Sequence, residues 1–256
     1  DGALPTDLMR QLGIEVFGHT SKYDAVIYNY LSDYFKSKKE TTDFPQELML
    51  AFEKIQDLRY GENPHQKAAF YKEKGQSKGL VNLKQVQGKE LSFNNILDLN
   101  SAVELVKEFK NPAAVIVKHN NPCGVCEDKD LPKAYLGAWE TDTLSAFGGI
   151  VALNRRMDLK TAKVIFKSGF LECIIAPGFD QEALNLFKEK KNLRLLQLND
   201  LSSPDELQIK RVSGGALLQS KDSETLNLDK LKIVTKRKPS KSELQSLIFA
   251  WKVAKH

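Results

Sequence analysis

An apolar, β-branched run that stops abruptly on a cation and an imidazole constrains this chain more than any other stretch. Ala113-Ala114-Val115-Ile116-Val117 is followed by Lys118-His119 and then by Asn120-Asn121-Pro122-Cys123-Gly124. A short segment of this kind predicts a strand buried on both faces. Proline has no amide donor and restricts the residue before it, so Asn120-Asn121-Pro122 is expected to end the strand. Lys118 and His119 then stand at its carboxyl end, the edge at which open α/β sheets bind ligands. Strand side chains alternate between faces, so both reach one ligand only if the chain bends there. Two readings stay open on this segment alone: a loop lysine beside a hydrogen-bonded histidine, or a cation paired with a base.

The rest of the composition narrows the class. At 256 residues the chain can bury a real core in one domain or two. It is 41% hydrophobic and 28% charged, a balance that argues against disorder. No apolar run approaches the roughly 20 residues of a membrane helix, and no secretory signal pattern is present. The net charge of +5 is spread along the chain, dense only at Lys36-Ser37-Lys38-Lys39 and Lys236-Arg237-Lys238. Without interleaved aromatics these runs do not make a nucleic-acid platform, and a mild positive balance suits an anionic small substrate. Three cysteines argue against a disulfide framework and favour a reducing cytoplasm.

Along the chain, helical spacing runs through Leu8, Leu12 and Val16. It resumes after Gly18-His19-Thr20-Ser21 through Tyr23, Ile27, Tyr30, Leu31 and Tyr34. This predicts two helices, the second capped by Ser21, followed by a polar linker over Lys36 to Asp43. Ala68–Tyr71 and Val81–Val86 read as short strands. A helix is expected from Asn94-Asn95 to Phe109, capped by Asn95, with Leu99, Ala102, Val103, Val106 and Phe109 as its stripe. A helix from Pro132 to Trp139 follows the Lys118-His119 strand. Next come strands at Ile150–Leu153, Cys173–Ala176 and Leu193–Leu198, alternating with helices opened by Asp158 and Asp180. The alternation predicts an α/β domain, a layered mixed sheet with flanking helices. Ser240-Lys241-Ser242-Glu243 is a capping box for a last helix with Leu244, Leu247, Ile248 and Trp251 as its stripe.

Several motifs bear on chemistry. Arg59-Tyr60-Gly61-Glu62-Asn63-Pro64-His65-Gln66 is either a loop between strands or an anion clamp, since a guanidinium offers a planar fork of donors. Phe147-Gly148-Gly149 and Ser213-Gly214-Gly215-Ala216 are weak signals for a backbone anion nest. Pro122-Cys123-Gly124-Val125-Cys126 spells the P-C-x-x-C of zinc nucleobase deaminases. None of the four histidines is followed two residues later by the glutamate that chemistry needs. Two buried or half-buried thiols fit the cysteines better than a zinc site or a redox pair. Neither a Walker A loop nor a dinucleotide fingerprint is present.

Five stretches taken together resemble one family. They are Leu58 to Gln66, Leu91-Ser92-Phe93-Asn94-Asn95, Val117 to Gly124, Ser145-Ala146-Phe147-Gly148-Gly149 and Ile174-Ile175-Ala176-Pro177. In this order they are similar to the bifunctional AICAR formyltransferase/IMP cyclohydrolase family of purine biosynthesis, bacterial type. The resemblance runs essentially end to end. It implies that residues 1 to about 40 are the last helices of a cyclohydrolase domain and residues 58–256 the first half of a formyltransferase domain. The second half of that domain would follow His256, so the chain is expected to be an internal piece of a longer protein. The implied fold of the formyltransferase part is cytidine-deaminase-like, with sites at a homodimer interface.

The resemblance also implies a reaction. A formyl group passes from 10-formyltetrahydrofolate, a co-substrate, to the exocyclic amine of AICAR, and no metal is needed. That amine is a poor nucleophile and must lose a proton as it attacks, while an oxyanion develops on the formyl oxygen. Chemistry of this kind needs a base that works near neutral pH and a cation beside the oxyanion. By resemblance, His119 is the base and Lys118 the cation or proton donor. Arg59 and Tyr60 match substrate-binding residues, Asn95, Phe147 and Gly148 line the nucleotide site, and Glu172 occupies an acidic position offset by one inserted residue. The implied partners are AICAR and the folate, with neither nucleic acid nor membrane. The alternatives are a zinc-dependent deaminase and a non-catalytic scaffold or dimerisation piece.

Overall fold

A computed structural model describes residues 4–35, 44–202 and 207–256. The chain forms two units, one within Asp1–Glu53 and Tyr71–Gly75, the other from Lys54–Phe70 and Gln76–His256. In the first unit the helical spacing gives a single helix, α1 (Thr6–Tyr34), rather than two. The expected break at Gly18–Ser21 does not occur, and Ser21 lies inside the helix. An interior glycine costs only about 1 kcal/mol against alanine. Thr20 Oγ1 donates back to the carbonyls of Val16 and Phe17, both at 3.2 Å, so its hydroxyl is satisfied without leaving the helix. The linker predicted over Lys36 to Asp43 lies outside the described residues. β1 (Phe52–Leu58) and β2 (Ala68–Glu73) form a two-stranded sheet.

The second unit continues with β3 (Lys84–Gln87), α2 (Phe93–Val106), β4 (Ala113–Lys118) and β5 (Asn121–Glu127). After these come α3 (Leu131–Thr141), α4 (Thr143–Ala146), β6 (Ile150–Leu153), α5 (Leu159–Ser168) and β7 (Cys173–Ala176). α6 (Gln181–Phe187), β8 (Arg194–Gln197), β9 (Gln208–Val212), β10 (Gly215–Gln219) and α7 (Lys241–Ala254) complete it. Six strands make one mixed sheet in the order β3-β8-β7-β6-β4-β5. β6, β7 and β8 are mutually parallel, whereas β4 runs antiparallel to both β5 and β6, and β3 runs antiparallel to β8. The layered mixed sheet with flanking helices is therefore as the sequence predicts.

Alternation along each strand divides the core into two layers. Ala114 and Ile116 of β4, Val151 and Leu153 of β6, and Ile174 and Ala176 of β7 face α3, α5 and α6. Ala113, Val115 and Val117, with Ile150, Ala152, Cys173 and Ile175, face α2. Every residue from Ala113 to Val117 is at most 1% exposed, so β4 is buried on both faces. α7 joins the α2 layer through Phe249 and Val253, with the Phe249 ring 5.4 Å from Phe109. Of the stripe read from sequence, Leu247 stays exposed while Leu244, Ile248 and Trp251 are half-buried.

Other differences are local. α2 is capped by Ser92, not Asn95: Ser92 Oγ accepts the Asn95 amide at 3.2 Å and Asn95 Oδ1 accepts the Ser92 amide at 3.1 Å. This is a capping box with an asparagine at the third position. The Val81–Val86 strand starts only at Lys84, because Leu80–Asn82 is a turn of 3-10 helix. β4 ends at Lys118, as the Asn120-Asn121-Pro122 segment predicts, and Pro122 then lies near the start of β5, an edge strand, where a missing donor is tolerated. Ser213-Gly214 is the two-residue turn joining β9 to β10 rather than a nest, with Gly214 at φ 74°.

α3 lies against β5 because two glycines allow it. A Cβ on Gly124 would stand 1.8 Å from the Ala138 carbonyl oxygen, and one on Gly137 would meet Cys126 Sγ at 2.6 Å. The first contact is with backbone and cannot be relieved by a rotamer. Gly124→Ala should therefore cost about 3 kcal/mol, the upper end of the usual overpacking range, seen as a lower urea midpoint. An unchanged midpoint would contradict this packing.

Candidate active site

Sheet topology assembles the polar cluster. Because β4 runs antiparallel to β6, with Val117 opposite Ile150, its carboxyl end meets the loop that enters β6. Lys118 Nζ donates to the Phe147 carbonyl there at 2.9 Å. β6 and β7 are parallel with Ile150 opposite Cys173, which brings Glu172 alongside, its amide donating to the Gly149 carbonyl at 3.1 Å. This edge carries the carboxyl end of β4 but the amino ends of β6, β7 and β8. The carboxyl-edge rule for open parallel sheets therefore does not describe it. A strand inserted in the opposite sense puts its own carboxyl end here.

The loop before β6 is closely packed rather than an open nest. The Gly148 amide donates to the Phe170 carbonyl at 2.8 Å and the Gly149 amide to the Ala146 carbonyl at 2.9 Å, so neither is left for an anion. Gly148 needs its left-handed φ of 76°. A Cβ on Gly149 would meet Ile116 Cγ2 at 2.9 Å. Phe147 remains exposed, its ring 5.7 Å from that of Phe170. The loop thus offers an aromatic face and a carbonyl already holding Lys118.

The bend that the sequence required is present. His119 and Asn120 both adopt left-handed backbone, at φ 54° and 61°, and link β4 to β5. For residues other than glycine this conformation costs roughly 1–2 kcal/mol each. Asp98 on α2 offsets it: Oδ2 accepts the His119 amide at 3.3 Å and Oδ1 the Asn120 amide at 2.7 Å. Hydrogen bonds to a charged group contribute about 1.5–3 kcal/mol apiece, enough to hold the turn. Asn121 Nδ2 adds a third restraint, donating to the His119 carbonyl at 2.8 Å. The His119 side chain itself is exposed.

The remaining predicted residues have their side-chain partners elsewhere, at the start of α2 and beside β8. Arg59 Nη2 donates to Tyr60 Oη at 2.9 Å, with the guanidinium carbon 4.7 Å from the Tyr60 ring centre. The pair belongs to a loop closed by Gly61 and Gln66 and tied to the start of α2, where Asn94 Nδ2 donates to the Glu62 carbonyl at 3.3 Å. Asn95 is buried, and its side-chain oxygen is committed to the helix cap. Glu172 pairs with Arg194 at 2.6 Å, and Arg194 Nε donates to the Glu90 carbonyl at 3.0 Å. Arg194 is 5% exposed, so Glu172 is held by a buried cation.

Asp98 and Arg194 did not emerge from the sequence. Each carries a faint signal: an acid one turn after Asn94 on an amphipathic helix, and a lone cation inside the apolar Leu193–Leu198 run. The two cysteines of P-C-x-x-C lie on β5. Cys123 Sγ is 3.9 Å from the Asn121 carbonyl, and Cys126 packs against Gly137. Burial pushes both thiols up, reinforced by Asp142 at Cys123 and Asp128 at Cys126. Cys173 is pushed up to about 12 by burial. Among the described residues no group of three or more His, Cys, Asp or Glu could hold a metal ion.

A family model described as the AICARFT/IMPCHase bienzyme matches residues 1–256. The chain belongs to that family. Proteins named bifunctional purine biosynthesis protein PurH are similar to it, at 52% identity over 96% of the chain in Thermoanaerobacter sp. and 51% over 96% in Acetivibrio thermocellus. The PurH of Magnetococcus marinus is 50% identical over the whole chain. The chain spans about half the length of the curated relatives it matches: 47%, 48% and 49% of these three. Among solved structures, Acinetobacter baumannii RibD aligns at 16% identity over 39% of this chain and 35% of that one. The TM-score of that alignment is 0.30.

The thiols make a direct test of the local electrostatics. A thiol pushed above its ordinary range is mostly protonated at neutral pH and a poor nucleophile. Cys123 and Cys126 should therefore be alkylated by iodoacetamide at pH 7.5 more slowly than free cysteine, with rates still rising above pH 9. Labelling as fast as free cysteine at pH 7.5 would contradict their burial.

Proposed function

We propose that this chain carries the formyl-transfer chemistry of a bifunctional enzyme of purine biosynthesis, and that the same protein cyclises the product to IMP. The observation that carries the reading is the Lys118–His119 pair at the end of β4, with Lys118 anchored on the Phe147 carbonyl and His119 turned out of the strand by left-handed backbone. Membership of the bienzyme family and relatives named as bifunctional purine biosynthesis proteins support it. On this reading residues 1 to about 40 close the cyclohydrolase domain and residues 58–256 make the first, cytidine-deaminase-like half of the formyltransferase. The enzyme works in the cytoplasm as a homodimer. A zinc deaminase is disfavoured because the three-ligand cluster it needs is missing among the described residues.

The proposed substrates are AICAR and 10-formyltetrahydrofolate. The AICAR amine attacks the formyl carbon while His119 takes its proton, and the carbonyl π pair moves onto oxygen. The Lys118 ammonium stabilises that oxyanion. Collapse reforms the carbonyl and breaks the bond to folate N10, which leaves as tetrahydrofolate after taking up a proton. Arg59 meets the anionic end of the nucleotide, with Tyr60 bracing its guanidinium. Phe147 and Gly148 line the pocket, and Glu172, fixed by Arg194, accepts hydrogen bonds from substrate hydroxyls. Asn95 contributes by holding the start of α2.

In the full-length protein His119→Ala should lower kcat for formyl transfer by about 10²–10⁴-fold, the usual contribution of a positioned base. Cyclohydrolase activity should be nearly intact. Lys118→Met should cost about 10²–10³-fold in kcat with little change in KM for AICAR. Equal loss of both activities in His119→Ala would indicate misfolding, and a Lys118→Met effect confined to KM would refute the oxyanion role.

A further inference from the structure

We infer that Asp98 is a positioning residue that acts through His119. The inference rests on His119 being the base of formyl transfer and deepens that reading. Each carboxylate oxygen of Asp98 accepts one backbone amide of the turn, His119 at 3.3 Å and Asn120 at 2.7 Å. Both residues are left-handed, a conformation their side chains disfavour, and among the described residues they are the only non-glycine positions with positive φ. Without that bend the alternation of an extended chain would send the His119 ring to the face opposite Lys118.

The carboxylate is well placed to fix the bend. Asp98 lies one turn into α2 from the capping box of Ser92 and Asn95, and Leu99 beside it is fully buried against the β4 face of the sheet. The helix is thus a rigid mount, and the turn is built against it rather than left as a free hairpin tip. Lys118 is fixed separately, by the Phe147 carbonyl. One half of the catalytic pair is oriented from α2 and the other from the loop before β6. An asparagine at position 98 would keep one acceptor oxygen and present an amide donor to the other backbone N–H, so the two-amide clamp would be lost.

The test is a double-mutant cycle in the full-length protein with AICAR and the folate donor. Asp98→Asn should lower kcat by about 10²-fold, the cost of misplacing a reacting group by about 1 Å, with KM for AICAR nearly unchanged. In the His119→Ala background the same substitution should cost no more kcat, because a residue acting only through another has nothing left to position. Unchanged kcat in Asp98→Asn, or a full further loss in the His119→Ala background, would overturn the inference while leaving the base assignment standing. Wild-type kcat in His119→Ala would overturn both. If Asp98→Asn fails to fold, amide exchange in the unsubstituted protein decides. Slow exchange at His119 and Asn120 supports the clamp, and exchange as fast as in an open turn refutes it.

Discussion

Burial of β4 on both faces is the constraint from which the rest of the second unit follows. Val115, Ile116 and Val117 each gain about 1.5–3 kcal/mol by leaving water, but only if both sides of the strand are covered. α2 must lie on one side and α3 with α5 on the other, and neighbouring strands must fill both edges. β5 and β6 do so, each antiparallel to β4. The strand therefore cannot shift register or turn over without exposing one of the two cores. Its end, where Lys118 and His119 emerge, is fixed as firmly as its middle.

That fixed end explains why polar residues far apart in sequence gather at one edge. An antiparallel β4 brings its carboxyl end to the loop before β6, and the parallel run of β6, β7 and β8 aligns their amino ends beside it. Lys118 reaches the Phe147 carbonyl, and Glu172 joins the same loop at Gly149, because of strand direction. Asp98 joins from α2, the helix that covers the same strand. The glycines at 148 and 149 allow the loop to come close, one by its left-handed backbone and the other because a side chain would strike Ile116.

Much of this was legible in the sequence where the cause is local. The buried strands at 113, 150 and 173 declare themselves by short apolar runs with β-branched residues, the one at 194 by its leucines, and the helices opened at Asp158 and Asp180 by their caps. Errors came where local rules compete. β4 ends before Asn120-Asn121-Pro122 as read, but the start of β5 at Asn121 is not legible there, because an edge strand tolerates the missing proline donor. Asn95 reads as a cap, yet Ser92 three residues earlier holds that place and uses Asn95 as its reciprocal partner. Gly18 reads as a break, yet its cost is too small to end a long helix. Asp98 and Arg194 stayed hidden because their partners are backbone groups and a carboxylate brought near only by the fold.

On the proposed function, the end of β4 presents its imidazole to the amine that receives the formyl group, held there by a turn bound to α2. A crystal structure of the full-length protein with AICAR bound tests it most directly. The exocyclic amine is expected within about 2.6–3.2 Å of a His119 ring nitrogen, or joined to it through one water, with both turn amides still on the Asp98 carboxylate. AICAR bound away from the end of β4, with His119 facing bulk solvent, would contradict it.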